Sequence, residues 1–256
     1  MSYNRSYYEN KAKKFDSSCD VSWGDLNVMR MEIDNILNYI ADRDCVLDAG
    51  CSNGFSTFEI AKARDIKVKA FDYSAKAIQI AKKEQFLKDP ERRIDFYHGN
   101  ILNIEEPDEN FDVVYGIRVL INLPNWRLQK KSILQVRRVL KNNGVYLLSE
   151  AFSGSLEKLN KLRALADMKP LVVQKFNLYL DEHKLERFIK PYFDIVEIKR
   201  FSSIYYVVSR FARYLTMKNG EKDTYINDIN NLFAKYPQTE NSGDFGIQKL
   251  YVLRKR

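Results

Sequence analysis

From residue 45 to residue 150 the chain alternates short apolar runs with longer amphipathic stretches. Cys45-Val46-Leu47 is an apolar run that ends at Asp48 and opens into a loop of small residues holding Gly50, Ser52 and Gly54. Helix-compatible Phe55–Ala63 follows. Val68-Lys69-Ala70-Phe71 reads as a second strand ending at Asp72. Ala75–Leu87 then reads as a helix with Ile78, Ala81 and Phe86 on one side, closed by Pro90. Ile94–Tyr97 and Phe111–Tyr115 are strands three and four. Trp126–Leu140 is an amphipathic helix with Ile133, Val136 and Leu140 at helical spacing, and Val145–Ser149 is strand five. Asn142-Asn143-Gly144 reads as the helix C-cap and turn between them. Strands alternating with helices predict a parallel sheet covered on both faces.

Outside this stretch the pattern changes. Asp25–Ile40 reads as an amphipathic helix ahead of the first strand. Beyond Glu150, Leu156–Ala166 and Asp181–Lys190 look helical, and Phe193–Lys199 and Gly246–Leu253 look like strands. Residues 201–245 lie between those strands as a long insertion with two expected helices. It holds aromatic residues (Phe201, Tyr205, Tyr206, Phe211, Tyr214) and bases (Arg210, Arg213), with Arg200 just ahead of it. A connection longer than geometry requires marks a lid or binding loop. The expected organisation is a helical segment over 1–43, a ligand-binding core over 44–150, and completion of the same domain over 151–256.

Composition narrows the picture modestly. The 256 residues, 45% of them hydrophobic, suffice for one domain with a sizeable core. The net charge of +8 comes from 42 basic and 34 acidic residues spread along the chain, which favours a solvated lysine-rich surface over a nucleic-acid partner. Cys19, Cys45 and Cys51 lack metal-ligand spacing and suit a reducing cytoplasm; no metal is expected. No apolar run approaches the ~18 residues of a membrane span, and the N-terminus lacks an apolar signal core, so a cytoplasmic protein without a membrane partner is expected. Nothing in the sequence fixes the oligomeric state.

The loop after the first strand carries the chemistry. Gly50 and Gly54 permit a sharp backbone turn and the close approach of a ligand, at the start of a helix whose first N–H groups are unpaired. Such a loop holds a nucleotide-like ligand at the carboxyl edge of a sheet. The dinucleotide pattern G-x-G-x-x-G fails, because Ser52 and Phe55 stand where it needs glycine. Asp72, 18 residues after Gly54 at the end of the second strand, is placed to accept hydrogen bonds from ribose hydroxyls. Asn100, after the third strand, either reads an adenine edge with Ile101 or forms a turn.

Val46, Leu47, Asp48, Gly50 and Gly54, with Ser52 at the middle glycine, resemble the first motif of class I S-adenosylmethionine-dependent methyltransferases. Phe111-Asp112-Val113-Val114 resembles the family's strand before its active-site loop, and Arg138-Val139-Leu140-Lys141-Asn142-Asn143-Gly144 resembles its approach to strand five. Tyr7-Tyr8 to Phe15-Asp16 is similar to the helical flap that begins many small-molecule methyltransferases. Arg118–Leu123 looks like the version found in bacterial enzymes of small-molecule and sugar metabolism. The resemblance implies a Rossmann-like α/β fold: a seven-stranded, mostly parallel sheet with one antiparallel strand, helices on both faces, an N-terminal flap and a C-terminal helical insertion.

It also implies S-adenosylmethionine as cofactor and its homocysteine product. The cofactor would lie on Asp48, Gly50, Cys51, Ser52, Gly54, Asp72, Tyr73, Asn100, Ile101 and Ile117, with Tyr8 and Trp23 from the N-terminal segment. The acceptor side falls to Arg118, Asn122 and Glu150, with His183 a candidate base, Tyr205 and Tyr206 equally open for that role, and His98 structural. Arg118 either clamps an anionic acceptor or holds its own loop in a salt bridge. The expected reaction is O-methylation of a small polar metabolite, sugar-containing, nucleotide-linked or phosphorylated, under a lid formed by 201–245. The alternatives are an RNA or N-methyltransferase and a non-catalytic cofactor-binding protein. An RNA enzyme is disfavoured by the lack of an RNA-binding motif. The N-P-P-(Y/F) tetrapeptide of amine-modifying relatives is also missing.

Overall fold

A computed structural model describes residues 24–217, 224–236 and 242–256. Its centre is a seven-stranded sheet: β1 (Cys45–Ala49), β2 (Lys67–Asp72), β3 (Ile94–His98), β4 (Phe111–Ile117), β5 (Leu140–Ala151), β6 (Phe193–Lys199) and β7 (Gln248–Lys255). Their order is β3-β2-β1-β4-β5-β7-β6. Strands β1 to β5 pair in parallel, while β7 runs antiparallel to both its neighbours. The order reverses between β1 and β4, which opens a crevice at their carboxyl ends, where open α/β sheets bind ligands.

The helices are α1 (Leu26–Leu37), α2 (Phe55–Ala63), α3 (Ala75–Lys88), α4 (Trp126–Val139), α5 (Ser153–Ala164) and α6 (Glu182–Ile189), with α7 (Ser203–Val207), α8 (Arg213–Thr216) and α9 (Asp228–Ala234) in the insertion. Asp25, Ser74, Asn125, Asp181 and Asn227 cap α1, α3, α4, α6 and α9 by accepting a backbone N–H two or three residues into each helix. Two apolar clusters cover the sheet's faces. One joins α1, α2 and Tyr205–Tyr206 to the strands; the other holds α4 and α6 against Leu47, Val114 and Tyr251. Interior strands with helices on both sides account for the near-continuous apolar runs in β1 and β4.

Two expectations fail locally. Asn142–Gly144 does not cap a helix: α4 stops at Val139 and Leu140 is already extended, paired with Phe111 in the sheet. The turn residues instead form an irregularity inside β5, with Asn143 at φ 63° while the register slips between Phe111 and Val113. The insertion is also not a free-standing cover. Phe201, Tyr205 and Tyr206 are buried in the core, and α7 continues through a π-helical turn (Val208–Ala212) into α8. Tyr8, Cys19, Trp23 and more than half of the expected N-terminal segment lie outside the described residues.

Candidate functional site

The site begins at the carboxyl end of β1. Gly50 and Gly54 have φ of +102° and +81°, and Ser52 between them is also left-handed at 52°. Gly50 N and Cys51 N both donate to Phe71 O, folding the loop over the end of β2. A Cβ on Gly50 would sit 2.5 Å from Val119 Cγ2, and one on Gly54 would lie 2.9 Å from Phe96 Cζ. Both glycines therefore serve a turn pressed against side chains, and the room denied to Gly54 is taken by Phe96 and Phe58 rather than by a ligand.

Asp72 closes the loop from the other side. Ser52 N donates to its Oδ2 at 2.9 Å and Ser74 N to its Oδ1 at 2.8 Å. Burial raises its pKa and these N–H groups lower it, with burial the larger effect. The carboxylate is thus fixed at the cleft wall with lone pairs to spare for hydroxyl donors. Asn100 uses its Oδ1 to accept from Leu102 N at 2.9 Å, an Asx turn that leaves the amide at the cleft. The turn and binding readings of Asn100 are therefore compatible. Tyr73 and Ile101 complete this wall, and His98 Nε2 lies 3.1 Å from Tyr73 O.

The cleft holds about 1000 Å³ and runs from Gly50, Ser52, Asp72 and Asn100 past Ile117, Arg118 and Asn122. Its far half is bounded by Leu156, Leu171, Phe176, Tyr179, Tyr206 and Tyr225.

Several expected site residues stand behind the cleft. Asp48 is buried and accepts from Thr57 Oγ1 at 2.6 Å and Tyr115 Oη at 2.7 Å, and burial pushes its pKa up to about 7. It braces the loop from below. The Cys51 thiol is buried, and burial pushes its pKa well up. Glu150, expected at the acceptor, has no exposure; its carboxylate accepts from the backbone N–H groups of Val119, Leu120 and Ile121. Burial pushes it up to about 8 against those three donors. It shapes the loop after β4 and does not face the acceptor. His183 is exposed on α6 and does not line the cleft, so the geometry gives it no access as a base.

Arg118 reaches back to Glu32 of α1, Nη2 to Oε2 at 3.2 Å, and Ser149 Oγ donates to the same carboxylate at 3.0 Å. Arg118 itself sits at φ 56° with Asn122 Nδ2 donating to its carbonyl. Arg210, expected to face an anion, is 4% exposed and paired with fully buried Asp25 at 2.5 Å, its guanidinium 3.8 Å from the Tyr225 ring centre. Tyr205 Oη also donates to Asp25. Glu32 and Asp25 escaped the sequence reading. A signal was present: Val28, Glu32 and Ile36 share the buried stripe of α1, and a carboxylate in an apolar stripe needs a partner.

This sheet order, with its antiparallel β7 and left-handed glycine loop, defines a class I S-adenosylmethionine-dependent methyltransferase fold. The chain belongs to the methyltransferase-domain family, whose model matches residues 40–219. Over 108 residues it is 31% identical to the 27-O-demethylrifamycin SV methyltransferase of Amycolatopsis mediterranei, covering 42% of this chain and 38% of that one. Over 171 residues it is 25% identical to the carboxy-S-adenosyl-L-methionine synthase of Nautilia profundicola, covering 64% and 70%. The chain spans about two fifths of the length of the first curated relatives it matches. A crystal structure of a protein from Pyrococcus horikoshii OT3 superposes with a TM-score of 0.61 at 17% identity, covering 98% of this chain and 99% of that one, a likeness of fold. S-adenosylmethionine is the cofactor that this family and fold imply. The donor set fits it: a fixed carboxylate at Asp72 able to take ribose hydroxyls, an amide at Asn100, and apolar Ile101 and Ile117 in the same cleft.

Proposed function

We propose that the chain methylates a hydroxyl of a small molecule that has a substantial apolar or aromatic body. When bound, the cofactor supplies an activated methyl group; the protein's part is to align the acceptor and exclude water. One observation carries the reading: a single cleft runs from the Asp72–Asn100 wall into a far half where Leu156, Leu171, Phe176, Tyr179 and Tyr225 stand beside Gln174, Lys175 and Arg210. The sequence-based expectation of a phosphorylated or sugar acceptor drew on Arg118, Arg200, Arg210 and Arg213. Two of these have buried carboxylate partners in Glu32 and Asp25, so an anionic acceptor would have to compete for them.

Neither histidine lines the cleft. Alignment therefore does most of the work, which suits an acidic hydroxyl such as a phenol or enol. Asn122, whose amide is held by Arg118 O, orients the loop that the acceptor meets.

The test is transfer of labelled methyl from S-adenosylmethionine to a panel of hydroxylated small molecules, sugars, RNA and amines, read by mass spectrometry. Label in phenolic or enolic products supports the proposal. Label confined to RNA, amines or sugars sinks it. The resemblance to a synthase that modifies the cofactor itself favours a second reading, which a mass change in the cofactor without any methylated product would establish.

A further inference from the structure

The rim of the cleft beyond α5 is unusual. Residues 165–178 have no helix or strand, yet their backbone is held firmly. Leu171 N donates to Asn160 Oδ1 at 2.8 Å while Asn160 Nδ2 donates back to Leu171 O at 3.0 Å. Arg163 Nε donates to Lys169 O at 3.0 Å. Leu178 N donates to Ile121 O at 2.7 Å, and Gln129 Nε2 donates to Leu178 O at 2.9 Å. This anchored segment nevertheless turns large apolar side chains outward: Leu165 is 85% exposed and Val172 is 83% exposed. A segment pinned at three residues by five hydrogen bonds does not display them through slackness.

The apolar tips extend to the neighbouring insertion. Buried Arg163 ties the end of α5 to α8: it donates to Arg210 O, and its guanidinium lies 4.8 Å from the Tyr214 ring centre. The next residue, Leu215, is 58% exposed. Leu165 lies two residues beyond Arg163 and Leu215 one beyond Tyr214, so both flank this contact; Val172 follows Leu171, which is tied to Asn160 of the same helix, and also lines the cleft. Exposed Lys161, Lys169 and Lys175 are interleaved with them, against one exposed acid in the segment, Asp167. Apolar tips set among lysines on a rigid rim have the make-up of a surface that lies in a lipid headgroup layer.

We propose that this rim docks the protein on an anionic membrane surface, with Leu165, Val172 and Leu215 entering the acyl boundary and Lys161, Lys169 and Lys175 meeting lipid phosphates. Docking is peripheral: no helix among the described residues is long and apolar enough to cross a membrane. It reverses the sequence-based expectation of no membrane partner. The cleft mouth then faces the bilayer, and an acceptor dissolved there reaches Tyr179 and Asn122 without crossing water. Charge decides for lipid over a second copy of the chain, because two such lysine-rich rims would repel each other face to face.

Sedimentation of the full chain with vesicles tests this without any acceptor. Binding is expected to an equal mixture of phosphatidylcholine and phosphatidylglycerol, and to be far weaker on phosphatidylcholine alone. L165E/L215E, with its S-adenosylhomocysteine binding unchanged, should lower the bound fraction by about tenfold or more. K169E/K175E should remove the preference for the anionic mixture. Val172→Trp emission should shift to the blue on adding that mixture. No sedimentation of the wild type, or equal sedimentation of L165E/L215E, overturns the proposal. So does a concentration-dependent dimer abolished by L165E/L215E, which would assign the face to a second copy.

Discussion

The two halves of the cleft are built by different means. On the cofactor side the parts are local: Gly50, Ser52 and Gly54 lie within five residues, and Asp72 reaches Ser52 and Ser74 by single hydrogen bonds. On the acceptor side they are assembled from the whole chain. Asp25 meets Arg210 across 185 residues, and Glu32 meets Ser149 across 117. The first half needs only a turn at the end of a strand. The second needs α1, the loop after β4 and the insertion to be docked together, so its geometry depends on the completed fold.

Breaking the acceptor side should therefore cost most in stability. Arg210→Ala leaves Asp25 buried and short of its cation, and should lower the free energy of unfolding by about 3–5 kcal/mol in urea titration. Asp25→Asn combined with Arg210→Met should recover much of that loss. If Arg210→Ala alone costs nothing, the insertion is a loose cover after all. On the cofactor side, Gly54→Ala forces a left-handed alanine against Phe96 and Phe58, at roughly 1–3 kcal/mol. Thermal unfolding followed with and without S-adenosylhomocysteine would separate lost stability from lost binding.

Asp72→Asn keeps the shape and one good acceptor while removing the charge. It should weaken S-adenosylhomocysteine binding about tenfold in calorimetry, the worth of one charge-assisted hydrogen bond. Unchanged affinity in the folded variant would detach Asp72 from the ribose.

A smaller effect sharpens the contrast through pH. Burial raises Glu32 to about 7 and Glu150 to about 8, above the values these groups have in an unfolded chain. The folded state therefore binds their protons more tightly. Stability from these groups is complete below about pH 4.5 and falls as pH rises toward 7 and 8, by at most about 1.4 kcal/mol per pH unit for each carboxyl. Urea midpoints should decline over that window, and Glu150→Gln, which keeps an acceptor for the Val119 and Leu120 N–H groups, should flatten the decline. The smallest expected effect is that of His183→Ala, which should leave methyl transfer unchanged because the ring is solvent-facing on α6.

The same contrast explains what could be read from the sequence. Strand ends, the glycine loop and Asp72 announce themselves by residue type at short spacing, and the span of β6, Phe193–Lys199, follows from its aromatic and β-branched residues. Glu150 looks like an active-site acid from its place at the end of strand five. Only the three N–H groups of Val119 to Ile121, brought up by the fold, reveal that it shapes backbone. Arg210 reads as a free cation because Asp25 is too distant in the chain for any local pattern to join them. Asn142–Gly144 carries true turn residues, but whether such a turn ends a helix or kinks a strand depends on the neighbour, here Phe111 in β4.

The antiparallel β7 bears on the order in which the molecule can be made. Residues 45–151 contain every strand of the parallel part and can pair as they leave the ribosome. Strand β6 has no such opportunity, because its sole described strand partner is β7, whose residues follow more than forty positions later. Until β7 slides between β5 and β6, one edge of β5 stays open and β6 has no strand to pair with. That interval is when the nascent chain is most exposed to chaperones and to mispairing with other copies. Slowing translation ahead of Gln248 should lengthen it, and circular permutation that brings β7 in earlier should shorten it.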